Sequence, residues 1–108
     1  FIIGYTAAAT TTGSRWSVNG PASPTLLIYR SEYSLTTTTR TLNEGLSTYD
    51  VPAASSASSA ATGSNIALIE GIITPSANGT LIARFASEVS SSAIVAKAGS
   101  CLFYALVI

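Results

Sequence analysis

The stretch from Asn65 to Ser87, NIALIEGIITPSANGTLIARFAS, decides how the chain folds. Its first ten residues set Ile66, Leu68, Glu70 and Ile72 against Ala67, Ile69, Gly71 and Ile73. That is the period of two that a pleated strand imposes. Asn78-Gly79 is a turn signal, and beyond it Leu81, Ala83 and Phe85 alternate with Thr80, Ile82 and Arg84. The pattern predicts a β-hairpin with residues 75–79 as its loop. In that register Thr74 faces Thr80, and Glu70 lies opposite Arg84 on the same face as a cross-strand ion pair.

Working outward, strand signals dominate the rest of the chain. FIIGYTAAA opens it with β-branched and aromatic residues, and SRWSVNG alternates Ser14, Trp16 and Val18 with Arg15, Ser17 and Asn19. TLLIYRSEY and LTTTTRTL follow, then NEGLSTYDVP, which reads as a loop with a short strand near Thr48 to Val51. AASSASSAATGSN, residues 53–65, has no large apolar residue to dock and reads as a flexible surface loop. AIVAKA is a short strand, and CLFYALVI is the last one. Seven to nine strands joined by Gly, Pro, Asn and Ser turns, with no substantial helix, predict a jelly-roll-like antiparallel β-sandwich. The 108 residues make one domain, 1–108. The start in mid-run at Phe1 reads as a fragment or C-terminal domain of a longer chain.

The closing strand is apolar on both faces. Cys101, Phe103, Ala105 and Val107 point one way, and Leu102, Tyr104, Leu106 and Ile108 the other. A half-exposed strand carries one polar set, so the expectation is that a neighbouring subunit covers one face. Leu102, Phe103, Tyr104, Leu106 and Ile108 are assigned to core and assembly packing, and the strand is expected to be essential to the fold.

Composition narrows the function classes. There is no His, and five basic residues balance five acidic ones at 9% charged against 47% hydrophobic. Without imidazole the usual general base, hydrolase triads and most zinc and copper sites lack their central group. No catalytic residue, metal or cofactor is therefore expected. Zero net charge leaves no footprint for nucleic acid, and no run approaches the roughly 18 apolar residues of a membrane helix. The lone Cys101 forms no intrachain disulfide, has no cationic neighbour in sequence, and reads as a buried apolar residue. A weakly charged surface favours association.

Among polar candidates, Asp50 and Glu44 read as turn acids, and Glu70 has no second acid tied to it as glycoside hydrolysis requires. Aromatic faces stack on sugar rings, which makes Tyr49, Tyr33 and Trp16 the candidate ligand-binding residues of a carbohydrate-binding module. Asn78-Gly79-Thr80 satisfies a glycosylation sequon but reads first as a turn.

RWSVNGP, and later ATGSNIALIEGIITPSANGTLIARFASEVSSSAIVAKAGSCLFYALVI, resemble a C-terminal β-domain of tailed-bacteriophage structural proteins. Trp16, Gly20, Pro21, Gly71, Gly79, Thr80, Arg84, Phe85, Ala98, Gly99, Ser100 and Leu102 fall on its pattern, which covers residues 64–108 well and the rest thinly. The resemblance implies a jelly-roll-like sandwich, similar in outline to the tumour necrosis factor trimer, displayed on tail fibres or as head decoration. It implies a non-enzymatic virion domain with itself as partner in a homotrimer, other virion proteins beside it, and host cell-surface glycan as a ligand. The apolar CLFYALVI departs from the polar or basic ending of the pattern and favours a buried C-terminus. The shortened first strand implies that residues ahead of Phe1 belong to the domain.

Overall fold

Asn65–Thr74 does form a strand, and its ten residues make it the longest among the described residues. The computed structural model describes residues 1–52 and 58–107, and seven strands are found among them. They are β1 (Ile2–Ala7), β2 (Ser14–Asn19), β3 (Leu26–Ser34), β4 (Arg40–Leu46), β5 (Asn65–Thr74), β6 (Ile82–Ser87) and β7 (Ile94–Ala96). One sheet has the order β4-β3-β5-β1-β7 and the other is the pair β2-β6, with every pairing antiparallel. The all-β sandwich expected from the alternation is present, at the lower end of the strand count.

The hairpin expected between β5 and β6 is not. Both edges of β5 are taken within the large sheet, by β3 along Leu26–Tyr33 and by β1 along Ile2–Tyr5. Residues 75–81 therefore cross to the small sheet, where β6 pairs with β2 and sets Phe85 opposite Trp16. Glu70 consequently meets Arg30, its direct neighbour on β3, at 2.7 Å. Arg84 meets Asp50 at 3.0 Å. The Glu70–Arg84 pair is overturned because a local turn signal was outweighed by the burial available between the sheets.

That burial is carried by alternate residues. Ile3 and Tyr5 of β1, Trp16 and Val18 of β2, Leu27, Tyr29 and Tyr33 of β3, and Ala67 and Ile69 of β5 form one cluster. Tyr5 and Phe85 lie against Trp16 at centroid distances of 4.9 and 4.5 Å. The β3–β4 ladder slips between Tyr29 and Ser31, where β4 fits an extra residue against β3. Gly45, at φ 66°, supplies the left-handed backbone that such a bulge favours. The short strand expected near Thr48 to Val51 is a turn with Asp50 at φ 61°, and it covers the edge of β2 through a bond from Asp50 N to Val18 O.

Part of the low-complexity segment is held, not free. Residues 53–57 of the expected flexible loop lie outside the described residues. Ser59 is buried, with its Oγ donating to Thr12 O at 2.5 Å and its N to Thr10 O at 2.9 Å. Asn65 is buried as well and bonds the backbone of Ala61 through both amide atoms. Small residues suit this path because they let the backbone itself dock.

The C-terminus departs most from expectation. After β7, Lys97 N bonds Gly4 O, residues 98–99 form a turn with Gly99 at φ 91°, and Cys101 is bridged to Ile2. Leu102–Val107 then leave the ladder with neither strand partner, turn nor bend. Phe103, Tyr104, Leu106 and Val107 are 75%, 89%, 85% and 88% exposed, and Cys101 is exposed too. Ile108 lies outside the described residues. The assignment of these side chains to the core is corrected: beyond the Ile2–Cys101 bridge the described tail pairs with no strand, and its large side chains are exposed.

Gly71 gives a direct test of the β3–β5 ladder. A Cβ there would come within 2.3 Å of Ile28 O and 2.5 Å of Tyr29 Cβ, whereas one on Gly4 would meet nothing closer than 3.8 Å. Gly71→Ala should lower stability by about 1–3 kcal/mol, the usual cost of overpacking, and Gly4→Ala should leave it nearly unchanged. Urea denaturation of both variants measures the contrast.

Candidate interaction surface

The pleat that buries Ala67 and Ile69 turns Ile66, Glu70 and Ile72 outward, and β1 and β3 repeat the effect. The outer face of the large sheet accordingly carries exposed Ile2, Ile28, Leu42, Ile66, Ile72 and Val95. Direct pairings keep these residues on one face, with Ile28 opposite Ile72 and Ile2 opposite Leu68. A free monomer rarely leaves so many large apolar side chains on one sheet face.

A polar belt crosses this face. Arg30 Nε and Nη2 both donate to Glu70 Oε2, at 2.9 and 2.7 Å, and Nη1 lies 3.6 Å from Glu44. Arg40 donates to Glu32 at 2.8 Å. Elsewhere Arg15 pairs with Glu88 at 3.1 Å and Arg84 with Asp50, which also accepts from Asn19 Nδ2 at 2.6 Å. Each of the five acidic residues thus has an arginine beside it. The charges cancel locally, and apolar area is what distinguishes the surface.

Two recesses border the sheet. The larger, about 590 Å³, has Ile2, Ile66 and Leu68 as its floor and the Thr36–Thr39 loop with the Glu32–Arg40 pair as its wall. The loop spends its polarity on itself, Thr36 Oγ1 accepting from the backbone N of Thr38 and Thr39. The smaller, about 260 Å³, opens between the sheets beside Phe1, Trp16, Phe85 and Leu102. Among the described residues no three His, Cys, Asp or Glu side chains gather as a metal site needs.

The three candidate sugar-stacking residues are not brought together. Trp16 is fully buried and donates through Nε1 to Ser14 Oγ at 2.9 Å. Tyr33 is fully buried on β3, its hydroxyl accepting from Asn43 Nδ2 at 3.3 Å. Tyr49 is half-buried and donates to Pro21 O at 2.9 Å, closing the Gly20-Pro21 turn. A stacked sugar needs an open ring face, which the two buried rings do not offer. The outer apolar face, by contrast, went unassigned from sequence, although its signal was there: between its polar ends Asn65 and Thr74, β5 is apolar on both alternating sets apart from Glu70 and Gly71.

Comparison with protein-family models, with curated proteins and with solved structures found no match.

Tyr29 and Tyr33 give the core a pH limit. Burial raises both hydroxyl pKa values above the ordinary tyrosine value, against the opposing effect of their hydrogen bonds to Ser17 and Asn43. A folded pKa above the unfolded one means that the protonated hydroxyls stabilise fully below about pH 10 and that this is lost as pH rises. The melting temperature should fall as pH climbs past about 10, and less steeply in Tyr33→Phe. Thermal melts followed by circular dichroism from about pH 9 to 12 read the difference.

Proposed function

We propose that this chain is a non-enzymatic structural domain that works by associating with copies of itself, in the virion of a tailed bacteriophage. The observation that carries the self-association is the exposed apolar surface, the outer face of the large sheet together with the Leu102–Val107 tail. Local cancellation of charge supports it, because little net repulsion opposes contact between copies. The virion placement rests on the resemblance of residues 64–108 to phage C-terminal β-domains, and so do the homotrimer, the neighbouring virion proteins and host attachment. In this reading paired, neutral strands give a protease-resistant platform, and the apolar faces bind it to its neighbours.

Sedimentation velocity over about 1–100 μM, the range in which proteins of moderate affinity associate, tests the first part. The sedimentation coefficient should rise with concentration, and a monomer throughout overturns self-association. Mass spectrometry of purified phage particles tests the second. The chain should copurify at a fixed ratio to the major capsid protein, and its absence from intact particles overturns the virion placement.

A further inference from the structure

The chain has four asparagines, and two of them, Asn19 and Asn78, are followed by glycine. An asparagine so placed carries a latent reaction, because the backbone nitrogen of the next residue can attack its side-chain amide carbon. Glycine, with no Cβ, leaves that nitrogen least hindered and the backbone most free to bend toward it. In sequence the two sites are chemically alike. The fold gives them opposite surroundings.

Asn19 is locked. It is the last residue of β2 and pairs with Ile82 of β6, which holds its backbone extended. Its Nδ2 donates to Asp50 Oδ2 at 2.6 Å, and Arg84 Nη1 donates to the same oxygen at 3.0 Å. Gly20 is half-buried, and a Cβ on it would lie 2.9 Å from the Tyr49 hydroxyl oxygen and 3.3 Å from Leu81 Cδ1. The Gly20 nitrogen cannot swing onto the amide without breaking a charge-assisted hydrogen bond and the end of a ladder.

Asn78 is open. It ends the bend at residues 76–78, in the crossing from β5 to β6, and Asn78, Gly79 and Thr80 are all exposed. Among the described residues neither its side-chain amide nor the N–H of Gly79 has a hydrogen-bond partner. The loop is anchored on either side of it instead. Ser76 Oγ donates to Ala22 O at 2.8 Å, and Gly79 lies so close to Pro21 that a Cβ would come within 2.8 Å of its Cγ. The other two asparagines, Asn43 and Asn65, are buried, hydrogen-bonded through their amides and followed by Glu44 and Ile66.

We propose that Asn78 is a site of spontaneous deamidation and that the fold protects Asn19 from the same reaction. The Gly79 nitrogen gives up its proton to solvent and bonds to Asn78 Cγ. The Cγ–Nδ2 bond breaks, ammonia leaves with a proton taken from solvent, and a succinimide ring is closed. One water molecule then opens the ring at either carbonyl, leaving aspartate or isoaspartate at position 78. The product has six acidic residues against five basic ones, so the net charge passes from 0 to −1. Each of the other five acids has an arginine beside it, which makes this carboxylate the first without one. Isoaspartate also lengthens the backbone by one carbon, which the fold accommodates because neither Asn78 nor Gly79 belongs to a ladder.

The test holds the folded 108-residue chain at mildly alkaline pH and physiological temperature and follows both sites by peptide mapping with mass spectrometry. Asn78 should convert on the order of tenfold to a hundredfold faster than Asn19, a factor set by the hydrogen bond to a charged group that Asn19 must first release. Anion-exchange chromatography should show a more acidic form growing in step, with an unchanged circular dichroism spectrum, and Asn78→Gln should not produce it. In urea sufficient to unfold the chain the two sites should react at similar rates, since Asn19 has then lost Asp50. Equal rates in the folded chain, or a faster Asn19, overturn the protection. A contrast that persists undiminished in urea overturns it too, because sequence and not the fold then sets the rates. An Asn78 that stays intact in the folded chain while reacting in urea overturns it as the site of modification.

Discussion

Trp16 joins the two layers of this molecule. Its ring lies between Tyr5 of the large sheet and Phe85 of the small one. Its Nε1 donates to Ser14 Oγ, which lies 3.3 Å from the Tyr5 hydroxyl. A two-stranded sheet is not stable alone in water, so β2 and β6 persist because this indole and Val18 are buried against β1, β3 and β5. The topology follows from that constraint. Covering the indole ring sets Phe85 of β6 beside it, which takes residues 75–81 across the sandwich and leaves β5 to β3 and β1.

The electrostatics have the opposite character, being local and closed. Pairing every carboxylate with an arginine on a neighbouring strand or loop removes charge as a source of selectivity. Exposed pairs of this kind contribute little to stability. Their consequence is for recognition: they leave the outer isoleucines and leucines as the features another surface would read.

The tail behaves differently from the strands that precede it because strand formation needs a partner and not only a pattern. Leu102–Val107 have the alternation and β-propensity of a core strand, yet the backbone groups of an isolated strand gain nothing over those bonded to water. Cys101 is held because Ile2 is there to meet it.

Much of this was legible in the sequence. The period of two at Ser14–Asn19, Asn65–Thr74 and Ile82–Ser87 determined the strands and the all-β class, because pleat geometry is local. The absence of His and the balance of charge likewise bounded the chemistry before any fold was known. Tertiary structure alone decided which strands are neighbours. Asn78-Gly79 signals a hairpin, but a turn signal is worth little against burying the Trp16 ring between the sheets, so Glu70 found Arg30 and Arg84 found Asp50. It also decided what the apolar residues do. Alternation places Ile66, Ile72 and Tyr104 on a face without saying whether anything covers it, whereas Trp16 and Tyr33, read as ring faces for a ligand, are covered by their own chain. Burial is a property of what packs opposite a residue, and that partner is set by the whole fold.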